Sequence, residues 1–145
     1  PVTIADSQDL FTWRNDAHTR LMSKNSLPVT ITEHEHWFTT TLSKNNKCLL
    51  ICINPQHEKL GMVRFDMSGK TTEISINIAP KQRGKGLAIA CLNNAVQYFK
   101  NNYSNYKILT ANIKNSNLAS QKCFTAIGFN LTTTRNDMNY YTLKL

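Results

Sequence analysis

A strand-like alternation runs directly into a glycine-rich basic turn within residues 74–88, and a helix-like run of apolar residues follows the turn. Gly84 and Gly86 allow the backbone to pass close to a ligand. Arg83 and Lys85 place two cations beside the free amides of a helix N-terminus, where anions are favoured. This junction therefore predicts a binding site for a pyrophosphate group.

Two common phosphate-binding loops do not fit the spacing of this turn. A Walker A loop continues with Gly-Lys-Ser/Thr, whereas Gly86 is followed by Leu87. A dinucleotide-binding fingerprint needs a third glycine at the position of Ile89. The remaining pattern, Arg83-x-x-Gly86-x-Ala88, resembles the acetyl-CoA signature Arg/Gln-x-x-Gly-x-Gly/Ala of the GNAT family of N-acetyltransferases.

A second block, about thirty residues further on, resembles the other hallmark of the GNAT family, Asn-x-x-Ser/Ala-x-x-x-Tyr-x-x-x-Gly-Phe. The chain matches this hallmark at Asn117, Ser120, Phe124, Gly128 and Phe129, with Phe124 in the place of the tyrosine. The resemblance runs from about residue 2 to the C-terminus. It implies an α/β (α+β) fold with a mixed, mostly antiparallel sheet of about seven strands flanked by about four helices.

Length and composition agree with one domain over residues 1–145. The chain is 41% hydrophobic, which is enough to form a core. We find no apolar run of membrane-spanning length and no signal-like N-terminus, so we expect a soluble, cytoplasmic protein that does not bind membranes. The four cysteines lack Cys-x-x-Cys spacing, and we interpret them as core side chains.

The formal net charge of +8 indicates an anionic partner. The basic residues are dispersed, and we find no zinc-finger spacing or RNA-binding strand motif, which argues against nucleic acid. We expect a phosphate-rich cofactor and a small-molecule substrate, although solvated surface charge would also explain the excess. A homodimer formed through an exposed edge strand is left open.

Periodicity and capping residues predict the element order β-α-α-β-β-β-α-β-α-β-β. The first strand is expected over 2–5, and Asp6 or Ser7 caps a helix that continues in two pieces through Met22. Thr32 and Glu35 predict a capping box for a helix that ends near residue 43. The other elements are strands over 48–54, 59–66, 71–78, 108–112, 130–134 and 138–144, a helix from the basic turn to about 101, and a short helix from the Asn117 cap to Gly128.

Acetyl transfer from a thioester to an amine needs a base, and Glu73 is the best candidate. It shares a strand face with Ser75 and Asn77, opposite Ile74. The resemblance implies the same role, because GNAT enzymes often have a glutamate at this strand position. The alternative is a carboxylate paired with a surface lysine. The family's other position for a basic carboxylate holds Asn112, which cannot take a proton.

The resemblance also implies the acetyl-CoA site. Backbone amides near 76–78 would bind the acyl and pantetheine groups, and the glycine-rich turn would surround the pyrophosphate. The residues expected to bind the cofactor are Ile76, Asn77, Ile78, Arg83, Gly84, Lys85, Gly86, Leu87, Ala88, Asn117, Ser120 and Phe124.

Phe124 has no proton to give to the leaving thiolate. Tyr140, Tyr141 or Ser120 could replace the usual tyrosine. A thiolate can also leave unaided, because a thiol pKa of about 8.5 makes it a tolerable anion. Phe124 further leaves open that the protein binds acyl-CoA without catalysis.

The N-terminal region has Trp13-Arg-Asn-Asp-x-x-x-Arg20-x-x-Ser23, followed by Ile31-Thr-x-x-His34-x-x-Trp37. It resembles the N-acetyltransferases that act on nucleotide-linked amino sugars, including UDP-linked 4-amino-4,6-dideoxy sugars of the pseudaminic and legionaminic acid pathways. Arginines suit phosphates, histidine and asparagine suit hydroxyls or uracil, and tryptophan stacks on rings. The residues expected to bind the acceptor are Arg14, Asn15, Arg20, His34 and Trp37.

Each acceptor residue also has an alternative role. Trp13 and Trp37 lie on amphipathic helices, where tryptophan is more often a core residue than a ligand platform. The two arginines could equally be solvated or paired with Asp9 or Asp16.

His34 and His36 cannot face the same way on one helix, and we expect no metal site.

Other acceptors remain open as well. A protein N-terminus, such as that of a ribosomal protein, would need an open groove, and a polyamine would need a carboxylate-lined site. The chain has only nine aspartates and glutamates, which favours an anionic acceptor.

Overall fold

A computed structural model describes all residues from 1 to 145. It contains five α-helices and six β-strands. The helices are α1 (Ser7–Asn15), α2 (Ala17–Met22), α3 (Ile31–Leu42), α4 (Leu87–Asn102) and α5 (Leu118–Ala126). The strands are β1 (Lys47–Ile53), β2 (Lys59–Ser68), β3 (Thr71–Ile78), β4 (Ile108–Lys114), β5 (Asn130–Arg135) and β6 (Met138–Lys144). Two single-turn 3-10 helices cover Ile4–Asp6 and Pro80–Gln82.

The strands form one mixed sheet in the order β1-β2-β3-β4-β6-β5. All neighbours are antiparallel except β3 and β4, which run parallel because α4 crosses over between them. The antiparallel meander predicted for the first three strands is confirmed. The predicted α/β fold with a mixed, mostly antiparallel sheet and flanking helices is also confirmed.

The main core lies between the sheet and one face of α4. Leu92, Ala95 and Phe99 on this face are all buried, as the apolar spacing of the helix predicts. Phe99 stacks on Phe65 of β2 with ring centroids 4.4 Å apart. Each large apolar side chain buried in this way contributes about 1.5–3 kcal/mol, so this contact holds α4 firmly against β2.

The opposite face of the sheet is only partly covered. Trp13 of α1 and Phe38 of α3 pack with Leu49 of β1 in a second, smaller core. On β3, Ile74 is buried in the main core, whereas Glu73 and Ser75 point to the partly covered face. The expected alternation of β3 is therefore confirmed, and the polar face of this strand is free to line a site.

The predicted strand over 2–5 is wrong. Only Val2 pairs with the sheet, through one bond from its amide to Leu49 O at 2.8 Å. The Asp6 carboxylate accepts hydrogen bonds from the amide and hydroxyl of Thr3, which turns the chain into the 3-10 helix Ile4–Asp6. The sheet consequently has six strands rather than about seven.

The start of α3 also differs from the prediction. The capping box is formed by Thr30 and Glu33, not by Thr32 and Glu35. Thr30 Oγ1 accepts from the Glu33 amide at 3.2 Å, and the Glu33 carboxylate accepts from the Thr30 amide at 2.7 Å. Both pairs have the required spacing, and sequence spacing alone does not separate them.

The four cysteines are free thiols, and Cys48 and Cys91 are buried. The interpretation of the cysteines as small core side chains holds for these two, while Cys52 and Cys123 are half-buried. None of the helices combines the length and apolar composition that a membrane crossing requires.

Candidate functional site

β3 and β4 separate part-way along their length. They pair only where Thr71–Glu73 face Ile108–Thr110, and beyond these residues the two strands diverge. A cavity of about 280 Å³ lies in the opening, which we call the splay cavity. Its walls come from both strands and from α5, and they include Glu73, Ser75, Asn112, Asn117, Ser120 and Phe124.

A larger cavity of about 1020 Å³ adjoins the splay cavity. Helices α1, α2 and α3 and the loop after α2 form one side of it, and the end of β3, the basic turn and α5 form the other. Its size is at the upper end of the range for small-molecule sites. The two cavities share seven residues, which join them into one site: Arg14, Met22, Ser23, Ser75, Ile76, Asn117 and Ser120.

The basic turn is shaped for a ligand that contacts the backbone. Gly84 and Gly86 adopt φ angles of 73° and 71°, in the left-handed region that favours glycine. A Cβ at either position would meet no protein atom within 4 Å, so space for a ligand lies over both residues. Gly86 is also the N-cap of α4 and offers no side-chain capping bond, which leaves the first amides of the helix free.

The side chain of Arg83 binds the protein rather than pointing freely into the cavity. Its Nη1 donates to Asp16 Oδ2 at 2.6 Å, its Nη2 to Thr19 Oγ1 at 2.6 Å, and its Nε to Ile78 O at 3.2 Å. Thr19 Oγ1 in turn lies 3.1 Å from Asn77 Oδ1. Arg83 therefore ties the basic turn to the junction of α1 and α2.

The pKa of Asp16 reflects this contact. Burial alone would raise the pKa of the carboxyl, but hydrogen bonds from Thr19 and Arg83 and the Arg83 charge lower it below its usual range. Asp16 therefore stays charged at neutral pH. It also caps α2, because its carboxylate accepts from the Thr19 amide at 3.0 Å.

Glu73, the candidate base, lines the splay cavity. Its Oε1 lies 3.0 Å from Lys24 Nζ, and the two side chains are 35% and 57% exposed. The pairing with a surface lysine, considered above as the alternative role, is therefore present. It does not remove Glu73 from the site, because Lys24 lines the same cavity.

Three residues expected to bind the acceptor instead hold the wall of the larger cavity. Asn15 exchanges two 2.8 Å bonds with the backbone of Val29, and Arg20 donates to Ser26 O at 3.4 Å. Neither of them lines a cavity. Arg14 donates to Asn25 O at 2.9 Å and also lines both cavities.

Arg14 leaves part of its guanidinium unpaired. Its Nη1 is buried and has no hydrogen-bond partner in the protein. Burial and the nearby charge of Arg20 lower the pKa of Arg14 somewhat. The pairing of the arginines with Asp9 or Asp16 is not observed, because Asp9 binds Lys59 and Asp16 binds Arg83.

The aromatic residues of the N-terminal region divide between core and cavity. Trp13 is buried in the second core and lines neither cavity, whereas Trp37 is half-buried and lines the larger one. His34 is buried, with its Nε2 3.1 Å from Ser7 Oγ, and it stacks on Phe38. It contributes to the wall of the larger cavity, while His36 is exposed.

Comparison with known proteins decides the family. A model of the family described as "Acetyltransferase (GNAT) domain" matches residues 1–130. The chain belongs to the GNAT family. It is therefore an N-acetyltransferase that uses acetyl-CoA. No curated protein matches the chain.

Solved structures share this GNAT fold. A domain from Methanocaldococcus jannaschii has a TM-score of 0.83 at 25% identity, covering 99% of this chain and 95% of that one. The spermidine N-acetyltransferase from Vibrio cholerae, in complex with CoA and spermine, has a TM-score of 0.87 at 16% identity, covering 99% of this chain and 92% of that one. At this level of identity, the likeness to the Vibrio cholerae enzyme shows the fold alone.

The basic turn of this GNAT domain fits the cofactor that the family uses. The open space over Gly84 and Gly86 and the free amides of α4 suit a pyrophosphate, and Leu87 and Ala88 line the same cavity. The side chains of two residues expected to bind the cofactor, Lys85 and Arg83, bind the protein instead. Lys85 donates to Gln82 Oε1 at 2.8 Å and lines neither cavity, and the Arg83 guanidinium is bound to Asp16.

The strand and α5 residues expected to bind the cofactor all border the site. Ile76, Asn77 and Ile78 line the larger cavity, on the part of β3 that has lost β4 as a neighbour. Alternate main-chain groups of this segment therefore face the opening. Asn117 caps α5 by accepting from the Ser120 amide at 3.2 Å, and both residues line both cavities.

No tyrosine of this GNAT domain lines either cavity. Phe124 is buried, with its ring 5.1 Å from that of Phe129, and it borders the splay cavity. Tyr141 is buried and its hydroxyl lies 3.2 Å from Gln121 Oε1. Of the three replacements considered for the usual tyrosine, only Ser120 reaches the site.

Four residues at the site were missed by the sequence analysis: Asp16, Thr19, Lys24 and Arg64. The Asp16-x-x-Thr19 spacing is a helix N-cap pattern and could have identified the break between α1 and α2. No local pattern brings Lys24 next to Glu73, because the two residues are 49 positions apart in the chain.

Proposed function

We propose that this N-acetyltransferase acetylates the primary amine of an anionic acceptor, specifically a nucleotide-linked amino sugar of the UDP-4-amino-4,6-dideoxy type. The observation that carries this proposal is Arg14, whose buried Nη1 lacks a protein partner where the two cavities join. A buried N–H group without a partner is costly, and a phosphate or carboxylate oxygen that reached Nη1 would satisfy it.

The charges around the site support an anionic acceptor. Arg14, Lys24 and Arg64 supply three cations to the splay cavity, where the one carboxylate is Glu73. Lys24 pairs with Glu73, and Arg64 pairs with Asp66, which lines neither cavity. The one carboxylate on the larger cavity is Glu33, which is engaged by the cap of α3. A polyamine would place several positive charges against this cationic wall, and like charges repel.

The remaining wall of the larger cavity suits a sugar or a base. Trp37 offers a half-buried ring, and the loop after α2 adds Asn25. The loop is positioned by Asn15 and Arg14 through their bonds to its backbone. We therefore assign Asn15 and Arg20 to shaping the acceptor site rather than to touching the acceptor.

In the proposed mechanism, the basic turn and the end of β3 would hold acetyl-CoA, which would supply the acetyl group as a thioester. Glu73 takes the proton from the acceptor amine. Main-chain amides at 76–78 stabilise negative charge on the carbonyl oxygen. The thiolate is a tolerable leaving group, because its thiol has a pKa of about 8.5. We assign to Ser120, which lines both cavities, the donation of a hydrogen bond to this thiolate.

The test is release of the CoA thiol from acetyl-CoA with a panel of acceptors: the UDP-linked amino sugar, spermidine and a ribosomal N-terminal peptide. We expect turnover on the nucleotide sugar. Arg14→Gln should lower kcat/KM for it by roughly 10- to 100-fold, because a charge-assisted hydrogen bond contributes about 1.5–3 kcal/mol. Arg135→Gln, on exposed β5, is the matched control.

Other outcomes would reassign the acceptor. Turnover on spermidine or on the peptide, but not on the sugar, would discard the proposed acceptor and keep the transferase chemistry. Binding of acetyl-CoA without turnover on any amine would favour a non-catalytic acyl-CoA-binding role, which the phenylalanine at 124 had left open.

A further inference from the structure

The splay cavity already contains a primary amine. Lys24 is the only lysine that lines either cavity. Its Nζ lies 3.0 Å from Oε1 of Glu73, the proposed base. An amine in contact with a carboxylate, in the opening between β3 and β4, is the arrangement that transfer to an acceptor requires.

We propose that Lys24 is a self-acetylation site, modified by the protein's own acetyl-CoA when no acceptor is bound. This inference rests on the proposed role of Glu73. The Lys24 ammonium gives a proton to Glu73, and the neutral nitrogen attacks the thioester carbonyl carbon. The new C–N bond forms an amide as the C–S bond breaks. The nitrogen gives its second proton to the thiolate, and CoA leaves as the free thiol.

The exposure of Lys24 allows this reaction. Its side chain is 57% exposed, and it follows α2 in the loop that borders the site. Exposed ion pairs of this kind are weak and exchange readily with water, so the amine can leave Glu73 and return. The four-carbon chain gives the nitrogen a range of positions within the opening.

Lys47 shows what distinguishes Lys24. Lys47 Nζ lies 2.6 Å from Asp66 Oδ1, so it is also paired with a carboxylate on the same sheet. It lines neither cavity. Contact with a carboxylate is therefore common to both lysines, and only Lys24 combines it with access to the opening between β3 and β4.

Acetylation of Lys24 would change the site in two ways. It removes one of the three cations of the splay cavity, and it ends the ion pair with Glu73. The Glu73 carboxylate would then be free for an incoming amine, while the cavity would attract an anion less strongly. The amine of a true acceptor must displace Lys24 from Glu73, so acceptor and self-acetylation compete.

The test is peptide mass spectrometry of the purified protein after incubation with acetyl-CoA and no acceptor. We expect acetylation at Lys24 at least tenfold faster than at Lys47 or at exposed Lys44, with a rate per molecule that does not depend on protein concentration. Glu73→Gln should slow it by on the order of 100-fold. The exposed-carboxylate variant Glu58→Gln should leave it unchanged.

A second readout does not depend on turnover. Labelling of Lys24 by an amine-reactive reagent should be slowed by CoA, whereas labelling of Lys47 should not. Acetylation spread evenly over surface lysines, or Lys24 acetylation that survives Glu73→Gln, would overturn the inference.

The two proposals fail separately. A protein that acetylates the nucleotide sugar but leaves Lys24 unmodified would overturn only the self-acetylation. Modified Lys24 without turnover on the sugar would overturn only the choice of acceptor.

Discussion

The cofactor side and the acceptor side of this site are built from different parts of the chain. The cofactor side is nearly continuous in sequence, from the end of β3 through the basic turn to the start of α4, and it presents backbone. The acceptor side gathers side chains from α1, α3, β2 and β3 and the loop after α2. Its charged groups hold one another or the loop in place.

The difference shows which features carry the function on each side. Glycine conformation and free helix amides persist when neighbouring side chains change, so a short motif is enough to identify the cofactor side. On the acceptor side, the same arginine both supports a loop and lines a cavity, as Arg14 does. Substitutions there are expected to alter shape and charge together.

The largest expected effect is at Glu73, where the two sides meet. Glu73→Gln should lower kcat by on the order of 10²- to 10⁴-fold, because glutamine cannot take the amine proton. The Kd for CoA should not change, since Glu73 lies in the splay cavity and not on the turn. Steady-state kinetics and calorimetry with CoA measure the two quantities.

Glu58→Gln provides the control for this prediction. Glu58 is an exposed carboxylate in the turn between β1 and β2, outside both cavities. A loss of activity in this variant similar to that of Glu73→Gln, or unchanged kcat in Glu73→Gln, would show that the base lies elsewhere.

Gly86→Val tests the cofactor side alone. A β-branched residue in the left-handed region costs about 1–2 kcal/mol, and its side chain would occupy the open space over the turn. We expect the Kd for CoA to rise by at least about tenfold. Gly69→Val is matched, because Gly69 has a φ of 58° and open space but lies in the β2–β3 turn. Equal loss of CoA binding in both variants would indicate general destabilisation.

Arg83 and Asp16 connect the two sides of the site. Asp16→Asn should therefore weaken binding of the acceptor more than binding of the cofactor. Asparagine keeps the α2 cap but loses the ion pair, which should reduce stability by about 1 kcal/mol. We expect the acceptor KM to rise by roughly threefold to tenfold with little change in the Kd for CoA. If instead Arg83→Gln alone weakens CoA binding, Arg83 leaves Asp16 and serves the phosphates.

The smallest expected effect is on folding stability and concerns His34, a buried residue in the wall of the larger cavity. Burial lowers the pKa of His34, and the bond to Ser7 and the charge of Glu35 offset this only in part. The unfolded chain then binds a proton at a higher pH than the folded protein does. Stability should therefore be full above the ordinary histidine pKa of about 6.5 and should fall as the pH is lowered below it, by at most about 1.4 kcal/mol per pH unit.

Denaturant unfolding between pH 7.5 and 5.5 measures this slope. His34→Gln should remove the contribution of His34. His36→Gln on the exposed side of the same helix should not. An unchanged slope in His34→Gln would mean that the buried ring does not couple to folding.

Much of the fold could be predicted because its signals are local. The bounds of β3 and β6 match the prediction, and Asn117 caps α5 as predicted. The predicted strand over 2–5 is absent because the Asp6 carboxylate binds Thr3 and turns the chain. α3 begins two residues earlier than predicted, because Thr30 and Glu33 form the capping box and not Thr32 and Glu35. In both cases the deciding feature is a hydrogen bond between residues three apart in the chain.

The candidate site could be predicted only in part, for a different reason. The glycine turn and Glu73 follow from strand alternation and backbone freedom. Arg83 contacts Asp16, 67 residues away in the chain, and Lys24 contacts Glu73, 49 residues away. No periodic pattern in the sequence indicates contacts between such distant residues. Asn15 was expected to touch the acceptor, but both its amide nitrogen and its amide oxygen bind the backbone of Val29.

The most direct test of an anionic acceptor is calorimetry on the CoA-loaded protein titrated with UDP and, separately, with spermine. We expect UDP to bind, with an affinity that weakens as salt is raised because the contacts are charged, and we expect spermine not to bind. Binding of spermine without binding of UDP would contradict the assignment of the cationic cavity wall to a nucleotide-linked acceptor.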